Sequence, residues 1–422
     1  MLFAALRRLS ICLARRPCFI GQACFGTQGL SAEFFMRAIT YQGIKDVRLD
    51  MVDDPEIHAA DDIVLRVTAT AIGGSDLHVY RGRIAGMNYG DILGREFMGI
   101  VEETGSDVTR VARGDRVVVP FVIACGHCRY CSMNLFAACQ ATNIARNTHL
   151  DNKQVHPGAA LFGYGDLYGA IPGGQAEYVR VPRANVGPLK VPESLTDDRV
   201  LFLSDILPTA YQAVLNAGVG ERSTLAIFGA GAVGLMAAAC ARMLGVQTLY
   251  LVDESEPRLQ FAVDNYGAIP VHFGTGAVAA EKIIAHTAQY GVDAAIDAVG
   301  LEAKGSPAET MLTALKMEGS SAQALRQAIA AIRRGGILSV AGFYAGQIHG
   351  FPFGDIFDKG ITVRGGQTHV QRYLPELLRF VEDGKLNPQA IVSHRLMLSQ
   401  AAQAYHMLDQ QHDGCRKVIL TP

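Results

Sequence analysis

Four cysteines, Cys125, Cys128, Cys131 and Cys139, carry the most definite chemistry in this sequence. Gaps of two, two and seven residues bring four thiolates within reach of one tetrahedral ion, with Gly126 easing the turn and His127, Arg129 and Tyr130 filling the loop. The spacing predicts one structural zinc. An iron–sulfur cluster, disulfides and scattered thiols are the competing readings, and the long last gap speaks against a ferredoxin-type run. Three of the other cysteines, Cys12, Cys18 and Cys24, lie in the first segment, whereas Cys240 and Cys415 stand alone. That is no disulfide framework, and a reducing compartment is implied.

A second group binds rather than reacts. Gly229, Gly231 and Gly234 follow a run of β-prone residues and open a segment rich in alanine and leucine. In that setting Gly229 makes the tight turn, Gly231 lets backbone approach a pyrophosphate, and Gly234 lets helix and strand pack closely. The helix start supplies amides and positive potential. Asp253 ends the next apolar strand, where a carboxylate accepts hydrogen bonds from the ribose hydroxyls of NAD and repels the extra phosphate of NADP. NAD is the predicted cofactor. Arg258 is the residue that argues for NADP, or it packs along the adenine side, or it faces solvent.

The elements needed to hold these groups fall into two styles. From Met36 to about Val186 the chain reads as short strands and turns, including Val64–Ala69 and the apolar run Val117–Val119 stopped by Pro120. The stretch 140–174 has little periodicity and reads as a long loop beyond the cysteine lobe. After Pro208, apolar runs at 224–228, 246–252, 294–298, 337–341 and 361–364 alternate with helix-length segments, the pattern of a parallel α/β sheet. Leu325, Ile329 and Ile332 recur at helical spacing, with Gly335-Gly336 expected to end that helix. The last fifty or so residues are expected to return to the first domain. The domains predicted are therefore 36–208, completed by 367–422, and a dinucleotide-binding domain at 209–366.

Composition limits the function classes. A chain of 422 residues, 49% hydrophobic, is long enough for two domains with real cores. A net charge of −2 without a long basic run disfavours a nucleic-acid partner. The uncharged stretch Thr224–Ala241 has membrane-like hydropathy, but its glycines fit a buried strand and helix better, so no membrane span is predicted. Residues 1–35 carry Arg7, Arg8, Arg15 and Arg16 with no acidic residue before Glu33, the composition of a mitochondrial presequence. The alternatives are a poorly ordered extension of a cytoplasmic protein, or a start of translation at Met36.

Together these features resemble the medium-chain, zinc-containing alcohol dehydrogenases, nearest to the branch with glutathione-independent formaldehyde dehydrogenases. The likeness runs from about Met36 to Pro422. It rests on Ser75-Asp76-Leu77-His78, Gly94-Arg95-Glu96-Phe97-Met98-Gly99, the cysteine lobe, Pro172–Val179, Ser204–Thr209 and the glycine run. The resemblance implies a GroES-like β-rich substrate domain, a doubly wound Rossmann domain, a cleft between them, and a dimer or tetramer. It also implies a catalytic zinc, at whose ligand positions this chain has Gly73, Arg95 and Asp205. Glycine donates nothing and arginine is always cationic. A divalent ion about 4 Å from that guanidinium faces repulsion on the order of 8 kcal/mol at an effective dielectric of about 20. The second zinc is expected to be absent, unless His78, His149 or His156 rebuilds its site. Arg95, paired with Asp205 or Glu96, is the candidate replacement, offering donors to a carbonyl oxygen; the alternative is that it only neutralises orphaned carboxylates. Ser75 and His78 match the family's proton relay, and Thr209 matches a residue beside the nicotinamide.

The reading is an NAD-dependent oxidoreductase for a small alcohol, aldehyde or ketone, without the usual catalytic zinc. The competing reading is a catalytically decayed protein that keeps its NAD and zinc sites. A two-zinc enzyme with unusual ligands is the third.

Overall fold

The computed structural model describes residues 35–143, 158–273, 278–300, 322–344, 348, 350–411 and 414–422. The expected presequence lies outside the described residues, as do His149 and His156. Phe35, grouped on sequence with the leading segment, instead opens the first strand and pairs with Asp53.

The first half is β-rich. A hairpin of β1 (Phe35–Gly43) and β2 (Asp46–Asp53) precedes β3 (Ile63–Ile72), whose β-branched residues Ile63, Val64, Val67 and Ile72 suit a pleated, buried surface. The seven-residue helix α1 (Gly74–Tyr80) follows directly on the Ile72-Gly73 turn, and β4 (Glu96–Thr104) returns antiparallel to β3. Next come β5 (Arg116–Val119), ended by Pro120, the small pair β6 (Val122–Ile123) and β7 (Ala160–Leu161), then β8 (Tyr178–Val181) and β9 (Leu189–Lys190). Pro120 has no N–H to continue the ladder, which accounts for the stop.

From α2 (Ile206–Ala217) onward, strands and helices alternate as the sequence predicts. β10 (Thr224–Phe228), α3 (Ala232–Met243), β11 (Thr248–Asp253), α4 (Glu256–Tyr266), β12 (Ile269–His272), α5 (Val278–His286), β13 (Val292–Asp297), α6 (Gln323–Ala331), β14 (Ile332–Val340), α7 (Phe353–Lys359) and β15 (Thr362–Gly365) build one six-stranded sheet. Its order is β12-β11-β10-β13-β14-β15, all parallel. The order reverses at β10/β13, so the carboxyl ends of those strands open a crevice beside the glycine run. The hydropathy that mimics a membrane span is divided between β10 and α3, and no helix among the described residues is long and apolar enough to cross a membrane.

Two details differ from the sequence reading. Gly335-Gly336 does not end a helix: α6 stops at Ala331, and the glycines lie inside β14, where the register with β13 shifts between Val292 and Ala294. Gly335 has φ +70°, a conformation that suits an irregular strand and that glycine adopts without a Cβ penalty. The edge strand β12 has no apolar signature, because Ile269, Pro270 and His272 are exposed; an edge is where a strand tolerates proline.

The chain then returns, through α8 (Val370–Glu382), β16 (His394–Met397) and α9 (Ala401–Gln410), to β17 (Val418–Thr421). β17 pairs antiparallel with β3, Val418 opposite Ile72 and Ile419 opposite Ala71. The larger β-sheet therefore runs β16-β17-β3-β4-β5-β9, with β8 also on β3. A buried apolar cluster extends from Ile72, Leu93 and Phe121 through Leu203 and Ile206 to Leu225 and Ile227, so the two halves share core packing.

The contact between β3 and β4 is unusually close at Gly99, where an added Cβ would stand 2.0 Å from the Arg66 carbonyl oxygen. These strands lead directly into Gly73 and Glu96. Gly99→Ala is expected to lower stability by about 2–3 kcal/mol, since neither backbone can yield without breaking the ladder; denaturant unfolding of the two proteins measures this.

Candidate functional site

The cysteine lobe and the crevice are distinct places. In the lobe, the Sγ atoms of Cys125, Cys128, Cys131 and Cys139 all lie within 4.8 Å of one another. Cys125 and Cys131 are 4.0 Å apart and Cys128 and Cys139 3.9 Å, too far for disulfides and close to the edge of about 3.8 Å expected for a tetrahedron of zinc thiolates. The turn also aims backbone donors at sulfur: Cys128 N–H to Cys125 Sγ at 3.3 Å and Cys125 N–H to Cys139 Sγ at 3.4 Å. This is a donor set that fits a closed structural metal site.

The crevice contains a cavity of 820 Å³. Ser75, His78, Arg95, Glu96, Asp205 and Thr209 line one part of it. Gly229, Gly231, Asp253 and Arg258 line another. Gly234 packs beneath, where a Cβ would meet the Gly229 carbonyl oxygen at 1.8 Å. A Cβ on Gly231, by contrast, would meet nothing within 4 Å; the open space lies at the start of α3, where a pyrophosphate would need it. Gly229 adopts φ +99°, which requires glycine. Asp253 accepts from Ala230 N–H at 2.6 Å and Ser255 N–H at 2.8 Å, which fixes its carboxylate at the rim of the cavity. These residues fit a dinucleotide.

At the other part, ion pairs dominate. Arg95 Nε donates to Asp205 Oδ2 at 2.6 Å, and the guanidinium lies over the Phe121 ring, 4.1 Å from its centroid. Asp205 Oδ1 accepts from Thr209, whose hydroxyl in turn accepts from Thr368. Glu96, the other expected partner of Arg95, is taken by a different cation. Lys417 Nζ reaches Glu96 Oε1 at 2.7 Å and the Ile72 carbonyl at 3.0 Å, with both side chains sealed from solvent. Burial pushes the Glu96 carboxyl up and Lys417 pulls it down. The place of Gly73 is constrained as well, for a Cβ there would lie 2.6 Å from Glu96 Oε1.

Three groups here escaped the sequence reading. Lys417 sits beside an apolar strand, Val418-Ile419-Leu420, and a lysine in such company is a signal that could have been used. Tyr164 comes from the long loop. Its hydroxyl accepts from Arg95 Nη1 at 3.5 Å, Ser75 lines the same cavity, and its ring meets Tyr168 edge-on. Burial raises this phenol to about 12, and Arg95 opposes the rise. No local periodicity marks Tyr164 in the sequence. Asp76, within the Ser75–His78 run, caps α1 by accepting the Gly73 N–H at 2.7 Å. Its second oxygen is buried without a hydrogen bond, and burial lifts its pKa to about 6. His78, one turn beyond Ser75, is buried with its ring 6.3 Å from that of Phe343.

Asp76 therefore holds its proton to higher pH in the folded chain than in the unfolded one. As pH rises from about 4 to about 6, the unfolded state ionises first, so this group removes stability, by roughly 3 kcal/mol in total. Asp76→Asn keeps the cap and abolishes the titration. Its stability relative to the parent protein is expected to rise across that pH window, measured by urea unfolding at pH 4.5 and 7.

Comparison with known proteins agrees with this geometry. Residues 59–193 match the alcohol dehydrogenase GroES-like domain. The zinc-type alcohol dehydrogenase-like protein AdhB of Bacillus subtilis is 40% identical, over 92% of this chain and 100% of its own length. A glutathione-independent formaldehyde dehydrogenase of Pseudomonas aeruginosa is 33% identical over 88% of this chain and 94% of its own. Among solved structures, the alcohol dehydrogenase TADH from Thermus sp. ATN1 superposes with a TM-score of 0.76 at 32% identity, covering 92% of this chain and 99% of that one. Sheet order, glycine turn, cysteine lobe and full-length relatives lead to one assignment: the chain belongs to the medium-chain, zinc-type alcohol dehydrogenase family.

Proposed function

We propose that the protein is an NAD-dependent oxidoreductase that moves hydride between the nicotinamide and a small alcohol, aldehyde or ketone, with zinc in the cysteine lobe and none in the crevice. The observation that carries this reading is the single cavity that joins Gly231 and Asp253 to Ser75, His78, Arg95 and Thr209. Its volume of 820 Å³ is in the range of cofactor and ligand sites, about 300–1,000 Å³. The activities named for the relatives, alcohol and formaldehyde dehydrogenation, supply the substrate class. When bound, the dinucleotide supplies the two-electron acceptor or donor. Asp253 favours NAD by accepting the ribose hydroxyls, and the start of α3 takes the pyrophosphate.

A metal does not fit the residues at the other end. Gly73 has no ligand atom, Arg95 brings a fixed positive charge into hydrogen-bond contact with Asp205, and Glu96 is engaged by Lys417. The guanidinium instead stabilises negative charge developing on a substrate oxygen, which favours carbonyl reduction over alcohol oxidation, because a hydrogen bond activates an alcohol less than direct coordination does. Ser75 and His78, three residues apart on α1, share a helix face suited to exchange a proton with solvent. A second reading, a cofactor-binding protein without turnover, is favoured by one observation: each of the carboxylates Asp205 and Glu96 already has a resident cation.

Metal analysis of the purified protein is expected to give one zinc per chain, lost in Cys125→Ser together with thermal stability; two zincs per chain would overturn the metal-free crevice. NADH consumption with a panel of small aldehydes and ketones separates the enzyme from the binder. Arg95→Ala is expected to reduce that turnover by about a hundredfold or more, and turnover equal to the parent protein would remove the role given to the guanidinium.

A further inference from the structure

Arg95 brings a fixed positive charge to the crevice, but it has no proton to give. A guanidinium stays protonated at any working pH, so it stabilises charge without completing the reduction of a carbonyl to an alcohol. Some other group must supply that proton. Asp205 is committed to Arg95 and Thr209, and Glu96 to Lys417. Tyr164 has the required combination: a phenol that lines the cavity, a cation 3.5 Å from its oxygen, and Ser75 in the lining of the same cavity. Its side chain is 4% exposed and held edge-on by Tyr168, so its direction is fixed by packing.

We infer that Tyr164 is the proton donor of the reaction, delivering its hydroxyl proton to the substrate's carbonyl oxygen, with Arg95 holding the phenolate that remains. This rests on the oxidoreductase reading given above and extends it. The Oη–H bond breaks and the proton joins the carbonyl oxygen, which takes the π-electron pair. At the same time the carbonyl carbon accepts a hydride with its electron pair from a dihydronicotinamide dinucleotide. The carbonyl is reduced to an alcohol and the dinucleotide is oxidised. Ser75 and His78, which line the same cavity, are the groups through which a solvent proton restores the hydroxyl. In the reverse direction each transfer is reversed.

The charges facing Tyr164 support this direction. Arg95 favours the phenolate, whereas burial, the carboxylate of Asp76 and the neighbouring phenol of Tyr168 disfavour it. The balance keeps the phenol protonated through the neutral range, ready to donate, and places a cation where negative charge appears during the step. Removal of the metal from such a site leaves two tasks, charge stabilisation and proton supply. Here they fall to two residues that touch each other.

The test compares the full-length protein with Tyr164→Phe, which keeps the ring and its packing. Four quantities are read: unfolding temperature, NADH affinity by nicotinamide fluorescence, NADH-dependent reduction of small aldehydes, and binding to the NADH complex of a small carboxamide, whose carbonyl accepts a hydrogen bond but no hydride. The variant is expected to keep NADH affinity and unfolding temperature, to bind the carboxamide about tenfold more weakly, and to lose kcat by about a hundredfold or more. Unchanged kcat in an active background would overturn the proton donor alone. A fall in kcat with unchanged carboxamide binding would also overturn it, because the hydroxyl would then not touch the substrate oxygen. Parent protein that binds NADH but neither reduces a carbonyl nor holds the carboxamide would overturn the oxidoreductase reading, and this inference with it.

Discussion

The crevice depends on charge compensation inside a site that water barely reaches. Two carboxylates, Glu96 and Asp205, sit at the meeting point of the β-rich half and the parallel sheet, and each would be costly to bury ionised and alone. Arg95 and Lys417 neutralise them at 2.6 and 2.7 Å. Each pair is a different solution. Arg95 is the residue after Gly94, one position before β4 begins, and uses its flat guanidinium to bridge Asp205, the Phe121 face and the Tyr164 hydroxyl at once. Lys417, a compact ammonium, fills the narrow space between Glu96 and the end of β3. The contrast follows from shape: a planar fork can satisfy several partners, a point charge sits best in a pocket of acceptors.

That compensation is possible only because the chain comes back on itself. β17 adds to the free side of β3, and this pairing carries Lys417 to Glu96 across 321 positions of sequence. β3 and β4 meet closely at Gly99 and thereby bring the Gly73–His78 turn and helix against Arg95 and Glu96. The parallel sheet contributes the other wall, since the reversal of strand order at β10/β13 leaves the glycine turn facing the same cavity. Arg95 and Gly73 therefore belong to one wall of the cavity, and the glycine turn and Asp253 to the other. The cysteine lobe has its own donor set, apart from the residues that line the cavity.

What could be read before the structure depended on how local each signal is. The cysteine cage, the glycine turn and Asp253 are set by spacing within a few tens of residues, and alternation of apolar runs with helix-length segments specifies a parallel sheet through short-range periodicity. The Gly335-Gly336 pair shows the limit: a glycine doublet reads as a helix end, but here α6 stops earlier and the glycines serve an irregular strand whose register is set by β13. The edge strand β12 was silent because an edge buries only Val271.

The site was legible in parts and not in its connections. Sequence alone determined that Gly73 brings no side chain and Arg95 a fixed cation, because residue identity and charge are properties of the chain itself. It also put forward two carboxylates, Asp205 and Glu96, as candidate partners for Arg95. Only the tertiary structure decided that Asp205 takes that role, that Lys417 claims Glu96, and that Tyr164 lies against Arg95. The reason is physical: an ion pair in a dry site is chosen by distance and burial, and those come from strand pairing and loop packing that bring together residues with no pattern linking them along the sequence.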